Sequence, residues 1–348
     1  MPSRARKSCC GVLTMSLSPK PSKLRKTLIA LCGTAGLLPL FSQAAETLKI
    51  ATTVWAGNGP LYVADKLDLY KPYDLKVNLQ FFSDPAMAVP AMASGAIDGS
   101  ALTYDQVVAA VAQGHKHRVV MPIDYSNGGD AIVADVSITS IEQLKGKKVG
   151  VAPLSPPEFL LNYALQTKGL TQADIKPINI NPDAVPGAMA SGSLLAGVTW
   201  EPNVSRVVGM GGGARYHVLF SSKQAPGLIT DVLAFDEKVI ATRGKAIEGL
   251  IKGYLDGLAY MHSHPVEATQ IIAEVLGVSS EEATEQMAGV YNVPLAEMPK
   301  NFERSDTTMS FFGSGAIIAE LMHSSGQIRR IPAIEDTLDD RFIKALSK

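Results

Sequence analysis

The chain has 348 residues, 46% of them hydrophobic and 19% charged, with a formal net charge of -1. That length and apolar content bury a large core and divide into about two domains. No basic excess exists to build the positive face that nucleic-acid binding requires, so that class of function is excluded.

Residues 1–44 read as an export leader. Arg4, Arg6, Lys7, Lys20, Lys23, Arg25 and Lys26 precede an apolar run over 28–41, which is followed by the small-residue site Ser42-Gln43-Ala44. Basic, apolar and cleavable segments in that order make a secretory signal, and the run is too short to span a bilayer comfortably. Cleavage is expected near Ala44, with Met15 as an alternative start, and the mature protein is expected in the periplasm and not membrane-spanning. A lipoprotein signal needs a small residue before Cys32, where Leu31 stands. All three cysteines (Cys9, Cys10 and Cys32) fall in the leader, so disulfides and thiol chemistry drop out of the mature chain. Without the leader, 25 Lys and Arg face 33 Asp and Glu, a net charge near -8.

Residues 48–104 and 148–201 carry the same elements in the same order. A strand (LKIATT; KKVGVA) runs into a polar loop (VWAGNG; PLSPPE), a helix (PLYVADKLDLY; FLLNYALQTKG) and a second strand (LKVNLQFF; IKPINI). A helix beginning at Asp84-Pro85 or Pro182-Asp183 then ends in an identical AMASG, at 91–95 and 188–192, before a short strand ending at Thr103 or Trp200. Strands alternating with helices predict parallel βαβ units. The glycine closing each AMASG sits where a helix C-terminus wants left-handed backbone. The fold class is therefore α/β, with two similar doubly wound lobes.

From Lys223 onward the pattern changes to amphipathic helices over 244–262, 266–276, 280–291 and 308–322, the third opened by a capping box from Ser279 or Ser280 to Glu282. This tail is expected to return across a two-segment hinge and cover the first lobe. Lobe 1 is then 45–126 with 230–348, and lobe 2 is 127–229. The crossings, near 125–130 and 225–231, are rich in Gly, Pro, Ser and Asn, which suits segments that absorb backbone rotation.

In open α/β sheets ligands bind beyond the carboxyl ends of the strands, where loops lead into helix N-termini. Six loops qualify: those with Trp55, Asn58 and Gly59; Ser83 and Asp84; Thr103, Tyr104 and Asp105; Ser126, Asn127 and Asp130; Ser155 and Glu158; and Trp200 and Glu201. Ser83, Thr103 and Ser155 either help to hold an anionic head group or cap their helices. These loops contain acids but no Lys or Arg, and Asp84, Asp130, Glu158, Glu201 and Asp231 favour an ammonium or guanidinium group. Trp55, Tyr104, Tyr125 and Trp200 could wall an apolar body or stack on a cation. The expected ligand is a small zwitterionic or cationic solute.

Other signals are weaker. Residues 209–214 match G-x-G-x-x-A, but they follow a helix and precede a strand, the reverse of a dinucleotide-binding context, and read as a helix-ending turn. His115 with His117 and His262 with His264 are expected to be surface histidines, since no Cys or acid accompanies them as a ligand. No nucleophile elbow, H-E-x-x-H or Walker lysine occurs.

In order along the chain, TTVWAGNGPLYVA, AMASGAIDGSALT, DYSNGGDAIV, LKGKKVGV, VTWEP and APGLITDVLAF resemble the nitrate/sulfonate/taurine class of ABC-transporter substrate-binding proteins, which includes relatives for thiamine-precursor pyrimidines. The resemblance covers nearly all of the mature chain. It implies a type II periplasmic-binding-protein fold, a monomer closing on one small molecule, and delivery to an ABC permease and its ATPase, with neither cofactor nor catalysis. It also implies that the ligand is held by Trp55 to Gly59, by Asn127 to Asp130, and by the Ser155 and Trp200-Glu201 loops. The chain departs from the pattern at Leu195, where the first repeat has Asp98, and this is expected to change turn packing rather than binding. Pro156-Pro157 removes two N–H donors from what would be an anion cradle, weakening the case for a sulfonate or phosphate head group there. The expected function is importer-linked binding of a taurine-like amine. The alternatives are a binding protein for a pyrimidine or similar thiamine-precursor base, a cofactor-biosynthesis enzyme on the same fold, and an extracytoplasmic sensor. An export leader disfavours the enzyme, and a sensor needs a transmembrane or signalling segment that the sequence does not show.

Overall fold

The computed structural model describes residues 45–348; the leader, its cysteines and the expected cleavage site lie outside the described residues. The chain begins with β1 (Glu46–Thr52), α1 (Gly59–Lys66), β2 (Leu75–Phe81), α2 (Ala88–Ser94), β3 (Gly99–Thr103), α3 (Tyr104–Ala112) and β4 (His117–Ser126). A second series follows: β5 (Asp130–Asp135), β6 (Lys148–Val151), α4 (Pro156–Gln166), β7 (Lys176–Asn179), α5 (Val185–Ala190), β8 (Ala196–Trp200), α6 (Asn203–Val208) and β9 (Tyr216–Ser221). The remainder is β10 (Thr230–Asp236), α7 (Glu237–Ser263), α8 (Pro265–Leu276), α9 (Ser280–Met287), β11 (Val290–Asn292), α10 (Met298–Asn301), α11 (Phe311–Ser324) and α12 (Arg341–Leu346).

Two sheets result, and they define two α/β lobes. The first runs β11-β4-β10-β3-β1-β2 and the second β7-β6-β8-β5-β9. β1 is parallel to β2 and β3, and β6 is parallel to β7 and β8. The registers correspond: Ile50 pairs with Gly99 and Ala51 with Ser100, as Val149 pairs with Ala196 and Gly150 with Gly197. The sequence repeat is thus a structural repeat. Every residue of β3 and of β8 is buried, as central strands covered on both faces must be. Gly95 and Gly192, closing the two AMASG segments, both have φ of 74°, the left-handed value that glycine adopts without steric cost.

One antiparallel strand in each sheet arrives from the other lobe. β10, which follows β9, inserts between β3 and β4; β5, which follows β4, inserts between β8 and β9. The chain therefore crosses between lobes from Ser126 to Asp130 and from Ser221 to Thr230.

The carboxyl-terminal helices cover the first sheet. α7 lies close on α1, because a Cβ at Gly257 would stand 2.3 Å from the Pro60 carbonyl oxygen. Arg243, at a non-helical point of α7 (φ −127°), pairs at 2.7 Å with both Glu46 and Asp98. Leu195 occupies the equivalent of Asp98 in the second lobe, is exposed, and has no such anchor. The Ser279–Glu282 capping box opens α9.

Two sequence expectations are corrected. The helix expected to run through 291 stops at Met287, and β11 instead pairs with the open edge of β4, stacking Tyr291 on Tyr125 with ring centroids 4.9 Å apart. An unpaired strand edge recruits any β-competent segment that reaches it. His117 is not a surface residue: it opens β4, fully buried, with neither ring nitrogen hydrogen-bonded among the described residues, and burial lowers its pKa to about 4. His262 and His264 are exposed. Residues 209–214 form the turn between α6 and β9. Among the described residues no helix is long and apolar enough to cross a membrane.

Candidate functional site

A cavity lies between the lobes at the carboxyl ends of the parallel strands. The first lobe contributes Thr52, Thr53 and Trp55 after β1, Phe82 and Pro85 after β2, Thr103 and Gln106 at the β3–α3 junction, and Asp231 from β10. The second lobe contributes Asp130 from β5, Pro156 from α4 and Trp200 from β8. About 480 Å³ of atom-free space lies between them, counted out to the open mouth, but only about 30 Å³ of it holds the centre of a water molecule. The lobes are therefore drawn together. Trp200 Nε1 donates to the Val54 carbonyl at 3.1 Å, Asn181 Nδ2 to the Ser83 carbonyl at 2.9 Å, and Gln327 Nε2 to Glu158 Oε2 at 2.6 Å, each bond running from one lobe to the other.

Local structure fixes the indoles. The Tyr62 hydroxyl in α1 donates to the Thr53 carbonyl at 2.8 Å and accepts the Trp55 N–H at 3.2 Å, which locks the loop after β1. Trp55 Nε1 then reaches both oxygens of Asp124, at 3.2 and 3.3 Å. With their N–H groups engaged elsewhere, Trp55 and Trp200 present apolar ring surface to the cavity.

The electrostatics are dominated by carboxyl groups. Asp124 (1% exposed), Asp130 (4%) and Asp105 (3%) are buried, and Asp231 keeps some surface where it lines the cavity. Burial pushes Asp124 and Asp130 up to about 7 and Asp105 to about 6. Asp231 is raised well above the ordinary carboxylate range, first by burial and then by the charges of Asp124, Asp130 and Asp105. No Lys, Arg or His lines the cavity, and none of the four acids forms a salt bridge among the described residues. Among the described residues no group of three His, Cys, Asp or Glu is arranged to hold a metal.

The structure brings Trp55, Thr103, Asp130, Trp200 and Asp231 to the cavity and sends the other nominated residues elsewhere. Tyr104 belongs to the core, its hydroxyl 2.8 Å from Thr337 Oγ1 and its ring against Phe311. Gly59 opens α1 against Ile272, and buried Asn58 leaves its Oδ1 without a partner among the described residues. Asp84 is exposed and caps the turn before α2 through the Ala86 N–H. Asn127 is exposed in the crossing, its N–H on the Gly289 carbonyl. Ser155 donates to the Ala152 carbonyl at 2.6 Å. Glu201 turns both oxygens onto Ser205 of α6, and Glu158 accepts from Leu154 N–H, Gln172 and Gln327. Acids beside helix starts satisfy free N–H groups as readily as ligands, and that is what diverts Asp84, Glu158 and Glu201. Sequence reasoning missed Asp124 by searching loops. Its signal was a carboxylate inside the apolar strand RVVMPIDYS, where an acid needs a reason.

A protein-family model described as NMT1/THI5 like matches residues 55–268. The chain belongs to the NMT1/THI5-like family. The NMT1/THI5-like match opens on Trp55 itself and takes in Thr103, Asp124, Asp130, Trp200 and Asp231. A Haemophilus influenzae protein assigned by name to thiamine biosynthesis is 24% identical over 311 residues, spanning 86% of this chain and 93% of the relative. The taurine-binding periplasmic protein of Escherichia coli is 24% identical over 182 residues, 52% of this chain and 55% of the relative. The crystal structure of the periplasmic aliphatic sulphonate binding protein SsuA from Escherichia coli superposes with a TM-score of 0.68 at 18% identity, covering 86% of this NMT1/THI5-like chain and 99% of SsuA. The fold is that of the periplasmic binding proteins.

Proposed function

We propose that this NMT1/THI5-like chain is the extracytoplasmic solute-binding component of an ABC importer, and that it captures a small organic cation or zwitterion. The observation that carries the reading is charge. Asp130 from one lobe and Asp231 from the other line a single cavity, backed by Asp124 and Asp105, with no basic residue in its walls. A cation entering there relieves the repulsion among these acids and joins the lobes, so binding favours closure. An anionic head group would meet the same carboxyls, and α4 opens with two prolines where N–H donors would help it. The cleft presents carboxyls and indoles rather than a nucleophile paired with a base, which supports binding over catalysis. The names of the taurine-binding and sulphonate-binding proteins support the importer role, and the leader supports export.

A second reading, a planar nitrogenous base of the pyrimidine kind, is favoured by one observation. Trp55, Trp200 and Phe82 give the cavity apolar walls suited to a flat ring, while carboxyl groups suit ring nitrogens and exocyclic amines. A thermal-shift screen tests both, because a bound solute raises the melting temperature by mass action. Amines, guanidines, aminopyrimidines, taurine and bare alkanesulfonates are compared at pH 7.5. Amine- or base-bearing compounds should shift the midpoint and bare alkanesulfonates should not. The opposite ranking rejects the charge argument.

A further inference from the structure

We infer that Asp124, which does not line the cavity, is a positioning residue that sets the charge of Asp231, which does, so that a cation entering the cleft expels a proton held by this pair. The inference rests on the cleft being the solute site.

The geometry begins with register. Asp124 on β4 and Asp231 on β10 are directly opposed partners in adjacent antiparallel strands. Opposed side chains in such a ladder stand within contact of each other on one face of the sheet, and the Asp124 charge raises Asp231. Ionised carboxylates have no hydrogen to donate to each other, so at that contact the two repel unless one proton is held between them. Asp124 has no room to turn away. Both its oxygens take the Trp55 Nε1–H, and the Gly57 backbone closes over it so tightly that a Cβ there would stand 2.1 Å from Asp124 Oδ2.

Among the described residues the surroundings offer no cation to replace the proton. The loop after β1 presents Trp55, α1 presents the Tyr62 hydroxyl, and α7 presents Tyr254, whose hydroxyl donates to the Ile123 carbonyl at 3.0 Å. β11 presents Asn292, whose Nδ2 is on the Gly57 carbonyl. The remaining charged neighbours are acids: Asp130 on β5 and Asp105 on α3, with Glu201 and Glu158 behind them. Two adjoining carboxylates in a dry site, with more negative charge around them, cannot both stay ionised. A permanent cation beside Asp231 and Asp130 reverses that balance. The proton then leaves to the buffer and both members of the pair become carboxylates, with no other bond made or broken.

The ligand-free protein, carrying 13C-carboxyl-labelled aspartate, is titrated by NMR, with Asp124→Asn and Asp231→Asn assigning the signals. The wild-type pair should titrate in two separated steps, the later one near neutrality, and Asp124→Asn should return Asp231 toward the ordinary carboxylate range by about one unit or more. Asparagine keeps an acceptor for Trp55, so the variant preserves the packing. Two ordinary carboxylate titrations, or an Asp231 step unmoved in Asp124→Asn, overturn the inference. Calorimetry with the permanent cation 1-methylpyridinium, in buffers of differing ionisation heat, then separates the two levels. Asp130 can also release a proton to an arriving cation, so greater release in the wild type than in Asp124→Asn supports the coupling, and equal release in the two overturns it. Absence of binding, with the NMR steps intact, leaves the proton pair standing and counts against the cationic-solute reading.

Discussion

The acids of the cleft are held at some cost to the fold, and pH measures that cost. Asp105, Asp124 and Asp130 have folded values of about 6, 7 and 7, above the range they have in an unfolded chain. The stability carried by their protonated forms is complete below the ordinary carboxylate range and is lost as pH rises through these folded values. Asp124→Asn removes one such group, so it should leave the melting temperature little changed at pH 4 and raise it at pH 8, by the equivalent of about 1–3 kcal/mol. Differential scanning calorimetry across that range checks the sign. In binding, Asp130→Asn should weaken capture of a cationic solute by about 30-fold or more, because it removes one buried charge partner. Trp55→Ala should weaken it by about 3- to 30-fold through loss of ring contact. Titration calorimetry on both variants, with circular dichroism to confirm folding, decides the matter. At this scale the rule that ligands meet strand ends reached Trp55, Thr103, Asp130, Trp200 and Asp231. It also nominated Asp84, Glu158 and Glu201, whose side chains face helix starts and not the cavity, since a loop acid beside a helix start looks the same whether it caps or binds.

At the scale of elements, the repeat was readable because local pattern and tertiary need agree. Alternating strand and helix periods, the two AMASG segments and the Ser279–Glu282 box all have local causes. β11 was not readable, because Val290, Tyr291 and Asn292 become a strand only when the edge of β4 lies beside them. His117 likewise looks like any strand-start histidine until the tertiary fold buries it. The seam between α1 and α7 is tight for the same non-local reason. Gly257→Ala places a methyl group against the Pro60 carbonyl and should cost about 1–3 kcal/mol. Chemical denaturation would show a lowered midpoint, with the ranking of solutes unchanged.

Over the whole molecule, closure is held by contacts that a solute in the cavity would not touch. Gln327 to Glu158 and Asn181 to Ser83 join the lobes directly. Gln327→Ala combined with Asn181→Ala should open the ligand-free protein, seen as an increased radius of gyration in solution scattering. The same variant should weaken every solute by one common factor, because the competent state becomes rarer while its cavity is unchanged. Solute-dependent losses would show instead that these residues shape the cavity.

The interleaving of strands has a consequence for assembly. Because β10 sits between β3 and β4, the sheet begun by the first residues of the fold keeps an empty slot until the chain has been made as far as Asp236. The second sheet needs nothing beyond Ser221. A chain emerging from its amino end therefore completes its middle before its beginning, and the long wait for that distant strand keeps the leading portion unfolded and threadable. Under the proposed export, late completion of the leading sheet favours passage of an unfolded chain across the membrane.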